Sequence, residues 1–163
     1  MFFLIFQLQL IEEIVNVCVK YKLDGVNIDF ENMKQEDKDM FSRFIIELTP
    51  RIKDMGMEVS VDVTAPDGGE TWSLCFDRNV IGDVADYIVF MAYDEYGASS
   101  TTAGTTAGYN WVKLSLNKFL TTEEIESDKI ILAVPLYTKL WTENKKGKVV
   151  KQSTLSMKKI DTV

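Results

Sequence analysis

The chain has 163 residues, 46% of them hydrophobic, enough for one ordinary domain with a sizeable core. Lys and Arg number 18 against 25 Asp and Glu, and the formal charge of −7 opposes nucleic acid or anionic membrane as partners held by bulk electrostatics. There is no histidine, and Cys18 and Cys75 are the only cysteines, so a dense disulfide framework is excluded and acid–base chemistry falls to carboxylates, Tyr, Lys or Cys.

The opening MFFLIFQLQLI is apolar but has no basic leader and no small-residue cleavage site before Glu12 and Glu13, so it does not read as a signal peptide. No run reaches the ~18 apolar residues of a membrane span. From Leu10, the positions Leu10, Ile11, Ile14, Val15, Cys18 and Tyr21 have helical spacing and lead through KYKLDG into a predicted strand, GVNIDFE. A second helix is predicted over 37–53, with Met40, Phe41, Phe44, Ile45 and Leu48 on one side and Gly56 closing it.

MEVSVDVTAP alternates like a strand and runs into the Gly-rich loop PDGGE, and a short helical or irregular stretch follows as far as NVIGDVAD. YIVFMAY is the third predicted strand. The low-complexity segment GASSTTAGTTAG, a flexible connection or a substrate loop, precedes a helix over 111–120, and KIILAVPLY is the fourth strand. The tail beyond Trp141 is polar and has no core pattern. Strands alternating with helices predict parallel βαβ units in a single domain over 1–163, with no interior linker and no short-period repeat.

The first strand is the unusual one. Asn27, Asp29 and Glu31 share one face, and Val26, Ile28 and Phe30 share the other. A parallel strand covered by helices normally carries two apolar faces. A (β/α) barrel reconciles the two facts, with Val26, Ile28 and Phe30 against the helices and the polar residues pointing inward toward the C-terminal mouth. Carboxylates two apart on a strand have Cα atoms roughly 6–7 Å apart, close enough to separate in pKa into a proton donor and an ionised partner. A solvated edge strand and a divalent-metal site fit the same spacing.

DGVNIDFE resembles the D-G-x-x-x-D-x-E signature of glycoside hydrolase family 18, the chitinase-like barrels. FMAYDE resembles that family's Met-x-Tyr-Asp strand, and LAVPLY its later strand ending in Pro-x-Tyr, in the family's order. The resemblance runs from about Leu10 to Trp141 and is most similar to bacterial members associated with cell walls and spore cortex. It implies a partial TIM (β/α)8 barrel covering roughly strands 4 to 7. The implied partner is a polysaccharide containing β-1,4-linked N-acetylglucosamine, such as chitin or peptidoglycan, or the core of N-linked glycans. It also implies an extracellular, cell-wall or spore location for the full-length protein.

By the same resemblance Glu31 is the general acid and then the base, and Asp29 orients the substrate's own N-acetyl group, which attacks the anomeric carbon with net retention. Tyr93 donates to the N-acetyl carbonyl. Asn27, Met91, Asp94 and Tyr137 are substrate-binding candidates. No metal or organic cofactor is required. Taken alone, Tyr93, Met91 and Tyr137 also read as core or strand-end residues, and Asp94 as a helix cap or loop acid. Asp24 matches the signature's first acid but has the opposite parity, which makes it structural. Trp72, Trp111 and Trp141 can stack on sugars or fill the core. Many chitinases have Asp where this chain has Asn27, which hydrogen-bonds but cannot ionise, so Asp29 is expected to lack a like-charged neighbour.

A complete barrel needs about 200–250 residues, which makes the chain an expected fragment lacking the family's first three strands and its eighth. The missing strands of the full-length chain are then partners in their own right, and exposed strand edges put the fragment's own activity in doubt. A carbohydrate-binding, chitinase-like protein without turnover is the alternative, with retention of Glu31 against it. A third reading makes Asp29 and Glu31 magnesium ligands in phosphoryl transfer.

Overall fold

The structure is a computed structural model that describes residues 2–162 and the side chains of residues 6–159. Valines at alternate positions of β2 (Glu58–Val63) organise it. Val59, Val61 and Val63 are fully buried, and each contributes about 1.5–3 kcal/mol of apolar burial. β2 is flanked by β1 (Gly25–Ile28) and β3 (Tyr87–Met91), and β3 by β4 (Ile130–Ala133), all parallel in the order β1-β2-β3-β4. The order never reverses. Right-handed crossovers therefore keep every helix on one side, as in a barrel wall and unlike a doubly wound sheet.

That side is the core. α1 (Phe2–Tyr21) contributes Ile11 and Cys18, and α2 (Lys38–Lys53) contributes Phe41, Phe44, Ile45, Leu48 and Ile52. α3 (Arg78–Val84) adds Ile81, and α4 (Tyr109–Thr121) adds Phe119, which lies 4.8 Å from the Phe90 ring. Gly56, at φ 74°, ends α2 as predicted, a conformation glycine adopts without a Cβ penalty. The buried Arg78 guanidinium ties α3 to the end of β2, donating to the Thr64 and Ala65 carbonyls and to the Thr64 and Ser73 hydroxyls.

The ladders put Asn27 beside Ser60 and Ser60 beside Tyr87, then Asp62 beside Val89 and Val89 beside Ile131. These side chains form the face turned away from the helices. None of them is fully buried, and Ile131 is 46% exposed. Among the described residues β1 and β4 each pair on one side only.

Five expectations are corrected. α1 begins at Phe2 rather than Leu10, because a run apolar on all sides shows no helical period. β1 stops at Ile28, so Asp29 and Glu31 stand just beyond its C-terminal end, while Phe30, although 38% exposed, stacks against Phe41 and Phe44 of α2 on the helix side expected for it. Met40, expected on the apolar side of α2, is 45% exposed. The fourth strand divides around Pro135, which has no N–H for a ladder, and Tyr137 opens β5 (Tyr137–Glu143). The polar tail forms β6 (Val149–Ser156), antiparallel to β5. Its residues are largely exposed, and pairing is set by a turn in which Asn144 Oδ1 accepts from the Lys146 and Lys148 N–H groups, so no core pattern marks it. No described helix is long and apolar enough to cross a membrane.

β1 and β2 pack closely at Gly25, where an added Cβ would lie 2.4 Å from the Glu58 carbonyl oxygen. Gly25→Ala is expected to destabilise the fold by about 2 kcal/mol or more, because backbone must move to admit it. Urea unfolding measures this, and an unchanged midpoint would contradict the close packing of the two strands.

Candidate active site

The C-terminal ends of parallel strands carry the residues whose chemistry the sequence singles out. Asp29 and Glu31 follow β1 directly and are exposed. Asn27, also exposed, accepts a 2.7 Å hydrogen bond at Oδ1 from Ser60 Oγ on β2. Asp62, one step past the last β1–β2 ladder pair, has its Oδ1 buried with no hydrogen bond among the described residues. Burial raises its carboxyl above the usual aspartate range. Contact with the Asn27 side chain pulls it back, and the charges of Asp29 and Glu31 push it up again.

Beyond β3 the chain places Tyr93 in the field of the same acids. Burial raises its phenol, and the charges of Asp62, Asp29, Glu31 and Asp94 add to the effect, so it remains a hydrogen-bond donor. Met91, buried, underlies this region on the inward face beside Ala133. Tyr137 meets Tyr93 edge-on, with ring centroids 6.2 Å apart, and donates to Asp94 Oδ1 at 2.7 Å. Burial and that bond push the Tyr137 phenol well above its ordinary range. Lys139 Nζ binds the same Asp94 oxygen and the Tyr96 carbonyl, with its side chain only 3% exposed. Asp94 itself sits at φ 60°, a left-handed conformation that an acid tolerates better than most residues but that surrounding contacts must hold.

The β5–β6 hairpin is thus tied to the loop after β3. Trp141 Nε1 donates to the Gly104 carbonyl at 3.0 Å, and Val149 N donates to Thr101 O. Glu95 pins the same loop, accepting from the Thr105 hydroxyl and the Gly108 N–H. The segment GASSTTAGTTAG is therefore held from both ends and lies under the hairpin.

The model of the glycosyl hydrolases family 18 matches residues 7–162. This chain belongs to glycosyl hydrolase family 18. The glycosylase YvbX of Bacillus subtilis (strain 168) is 31% identical over 133 residues, which cover 80% of this chain and 38% of that protein. The cortical fragment-lytic enzyme of the same organism is 27% identical over 138 residues, covering 82% and 31%. The chitinase from Chromobacterium violaceum ATCC 12472 superposes with a TM-score of 0.84 at 26% identity, covering 96% of this chain and 48% of that one. The chain spans less than half the length of each, and its sheet is an arc of the family's TIM barrel.

Within this family-18 arc, Asp29, Glu31, Tyr93 and Asp94 converge, and Tyr137 reaches them from the hairpin through Asp94. Asp24 lies at the opposite end of β1, exposed, with its carbonyl rather than its carboxylate bonded to the Glu58 N–H. Asp94 is a loop acid, and the cap of α4 is Gly108. Trp111 packs 6.1 Å from the Phe90 ring on the helix side and cannot stack on a sugar in the lumen.

Asp62 and Lys139 were not singled out from the sequence. Asp62 was visible as an acid at an inward position of VSVDV, whereas Lys139 required the hairpin. Asp62 also alters the expectation for Asn27, since a carboxyl on the neighbouring strand stands beside Asp29 after all. Three surface cavities of similar size lie beside rather than on these residues: one of about 630 Å³ is lined by Asp24 and Glu58, one of about 650 Å³ by Phe30, Met40 and Phe44 of the outer side, and one of about 670 Å³ by Lys34, Glu36, Glu70 and Thr71 of the segments after β1 and β2. Among the described residues no three His, Cys, Asp or Glu side chains are grouped to hold a metal ion.

Lys139→Met removes the cation that fixes Asp94. The expected cost to hairpin docking is about 2 kcal/mol, below that of a fully buried pair because Asp94 keeps 35% exposure. Exchange of the Trp141 indole proton reads it, and an unchanged rate would show that Lys139 does not hold the hairpin.

Proposed function

We propose that this chain carries the acid–base and N-acetyl-binding residues of a glycoside hydrolase acting on polymers that contain β-1,4-linked N-acetylglucosamine. The observation that carries the reading is the convergence of Glu31, Asp29 and Tyr93 at the C-terminal mouth of a parallel sheet, the end at which barrel enzymes build their sites. Glu31 gives its proton to the glycosidic oxygen as the bond to the anomeric carbon breaks. The oxygen of the substrate's N-acetyl group closes on that carbon, forming an oxazolinium ion held by Asp29 and by the Tyr93 hydroxyl. Glu31, now a carboxylate, takes a proton from water, which opens the ring and returns the sugar with retained configuration.

Asn27, Met91, Asp94 and Tyr137 shape the seat of the sugar at the cleavage point. Exposure of Glu31 suits a residue that must meet both a polymer and water. The names of the cortical fragment-lytic enzyme and of the chitinase support an aminosugar polymer as substrate and a cell-wall or spore setting. Among the described residues the inward face is uncovered and the outer strands each have an unpaired edge, an arrangement that suits a sugar-binding role without turnover as the second reading.

Glu31→Gln separates the two readings. Release of reducing ends from chitooligosaccharides and from peptidoglycan fragments is expected to fall by about 10²–10⁴-fold, with circular dichroism unchanged. A variant that cleaves as well as the wild type would remove Glu31 from the mechanism, and a folded wild type that binds the polymer without cutting it would mean that this chain alone binds sugar and that turnover, if any, needs the remaining barrel strands.

A further inference from the structure

Asp62, half-buried and with its Oδ1 atom fully enclosed, is a titratable group to which the hydrolysis above gives no task. The β1–β2 ladder pairs Asn27 with Ser60 and ends at Ile28 with Val61, so Asp29 and Asp62 are the next residues on the two chains, and their side chains interact. Ser60 Oγ donates to Asn27 Oδ1, which commits the amide oxygen to Ser60 and leaves the amide N–H groups for Asp62.

The groups facing Asp62 are the Asn27 amide, the Asp29 and Glu31 carboxylates from the end of β1, and the Tyr93 phenol from beyond β3. Its neighbour on β3 is the apolar Val89. No cation is among them. An ionised Asp62 has one amide to bond and two like charges to oppose it, and its buried Oδ1 lacks a donor. A protonated Asp62 has a donor to offer, and Asp29 when ionised is acceptor-only.

We propose that Asp62 is a positioning residue for Asp29: its carboxyl carries a proton and donates it in a hydrogen bond to the Asp29 carboxylate across the β1–β2 gap. The donors then run in one direction, from Ser60 to Asn27, from Asn27 to Asp62, and from Asp62 to Asp29. Asp29 is held as an ionised acceptor in one orientation, with its other oxygen available to the N-acetyl N–H of the sugar. Asp62 touches no substrate and loses no proton during turnover. This role rests on the proposed aminosugar hydrolysis, but the bond itself exists without substrate.

The test is carboxyl-detected ¹³C NMR of the chain across pH 3–9, which needs no turnover. The Asp62 midpoint is expected above the ordinary aspartate range, and in Asp29→Asn it is expected to fall toward that range. An ordinary midpoint in the wild type would overturn the proposal, and so would a raised midpoint that Asp29→Asn leaves in place, since burial alone would then be its cause. Asp62→Asn keeps a donor in the same place. For a chain that cleaves chitooligosaccharides, this variant is expected to retain cleavage below the wild-type Asp62 midpoint and to lose less rate than the wild type above it. Parallel pH–rate profiles for the two proteins would count against Asp62. Complete inactivity with the expected NMR shifts would leave the hydrogen bond standing and count only against hydrolysis by this chain on its own.

Discussion

The parallel register between β1 and β2 is the constraint on which the rest of the molecule depends. With Gly25 opposite Glu58, the valines of β2 go to the helices while Asn27 and Ser60 face the other way, and Asp29 and Asp62 follow them. Side chains alternate with a period of two, so a slip of one residue would drive the acids into the aliphatic core and the valines into the open face. The cost of burying unpaired carboxylates makes that slip prohibitive. Core packing and site geometry are therefore fixed by the same choice, and the missing side chain at Gly25 lets the strands come close enough to make it.

Most of the arc was legible in the sequence because its elements obey strong periods. GVNIDFE, MEVSVDV and YIVFM alternate or run apolar between helical patterns, and Phe41, Phe44, Ile45 and Leu48 mark the buried side of α2. The face on which Asp29 and Glu31 lie followed from parity alone, and their expected roles followed from the family motifs. The hairpin was hidden for a physical reason. Its strands lie outside the core, so turn chemistry around Asn144 and cross-strand pairing define them, and neither leaves a hydrophobic period. Asp62 was hidden differently, since its importance lies in what stands beside it on another strand.

The site combines two kinds of electrostatic control. Around Asp94, a nearly buried ammonium and a phenol hold a carboxylate in a left-handed backbone conformation, which ties the hairpin and the loop after β3 into one unit. Around Asp62, acids gather with no cation among the groups facing it, which favours the neutral form of one of them. Tyr93 lies between the two environments and feels both. In the proposed hydrolysis, a fixed phenol donor and two carboxylates are the parts that a substrate supplying its own nucleophile requires.

Participation of the N-acetyl group is the centre of the proposed chemistry, and partially deacetylated chitooligosaccharides test it directly. Sequencing the new ends after limited digestion identifies the sugar that occupied the cleavage point. Attack by the N-acetyl oxygen, oriented by Asp29 and Tyr93, predicts that every new reducing end is N-acetylglucosamine. New reducing ends bearing glucosamine would mean that a group of the protein or a water molecule attacks instead, and the roles given to Asp29 and Tyr93 would be wrong.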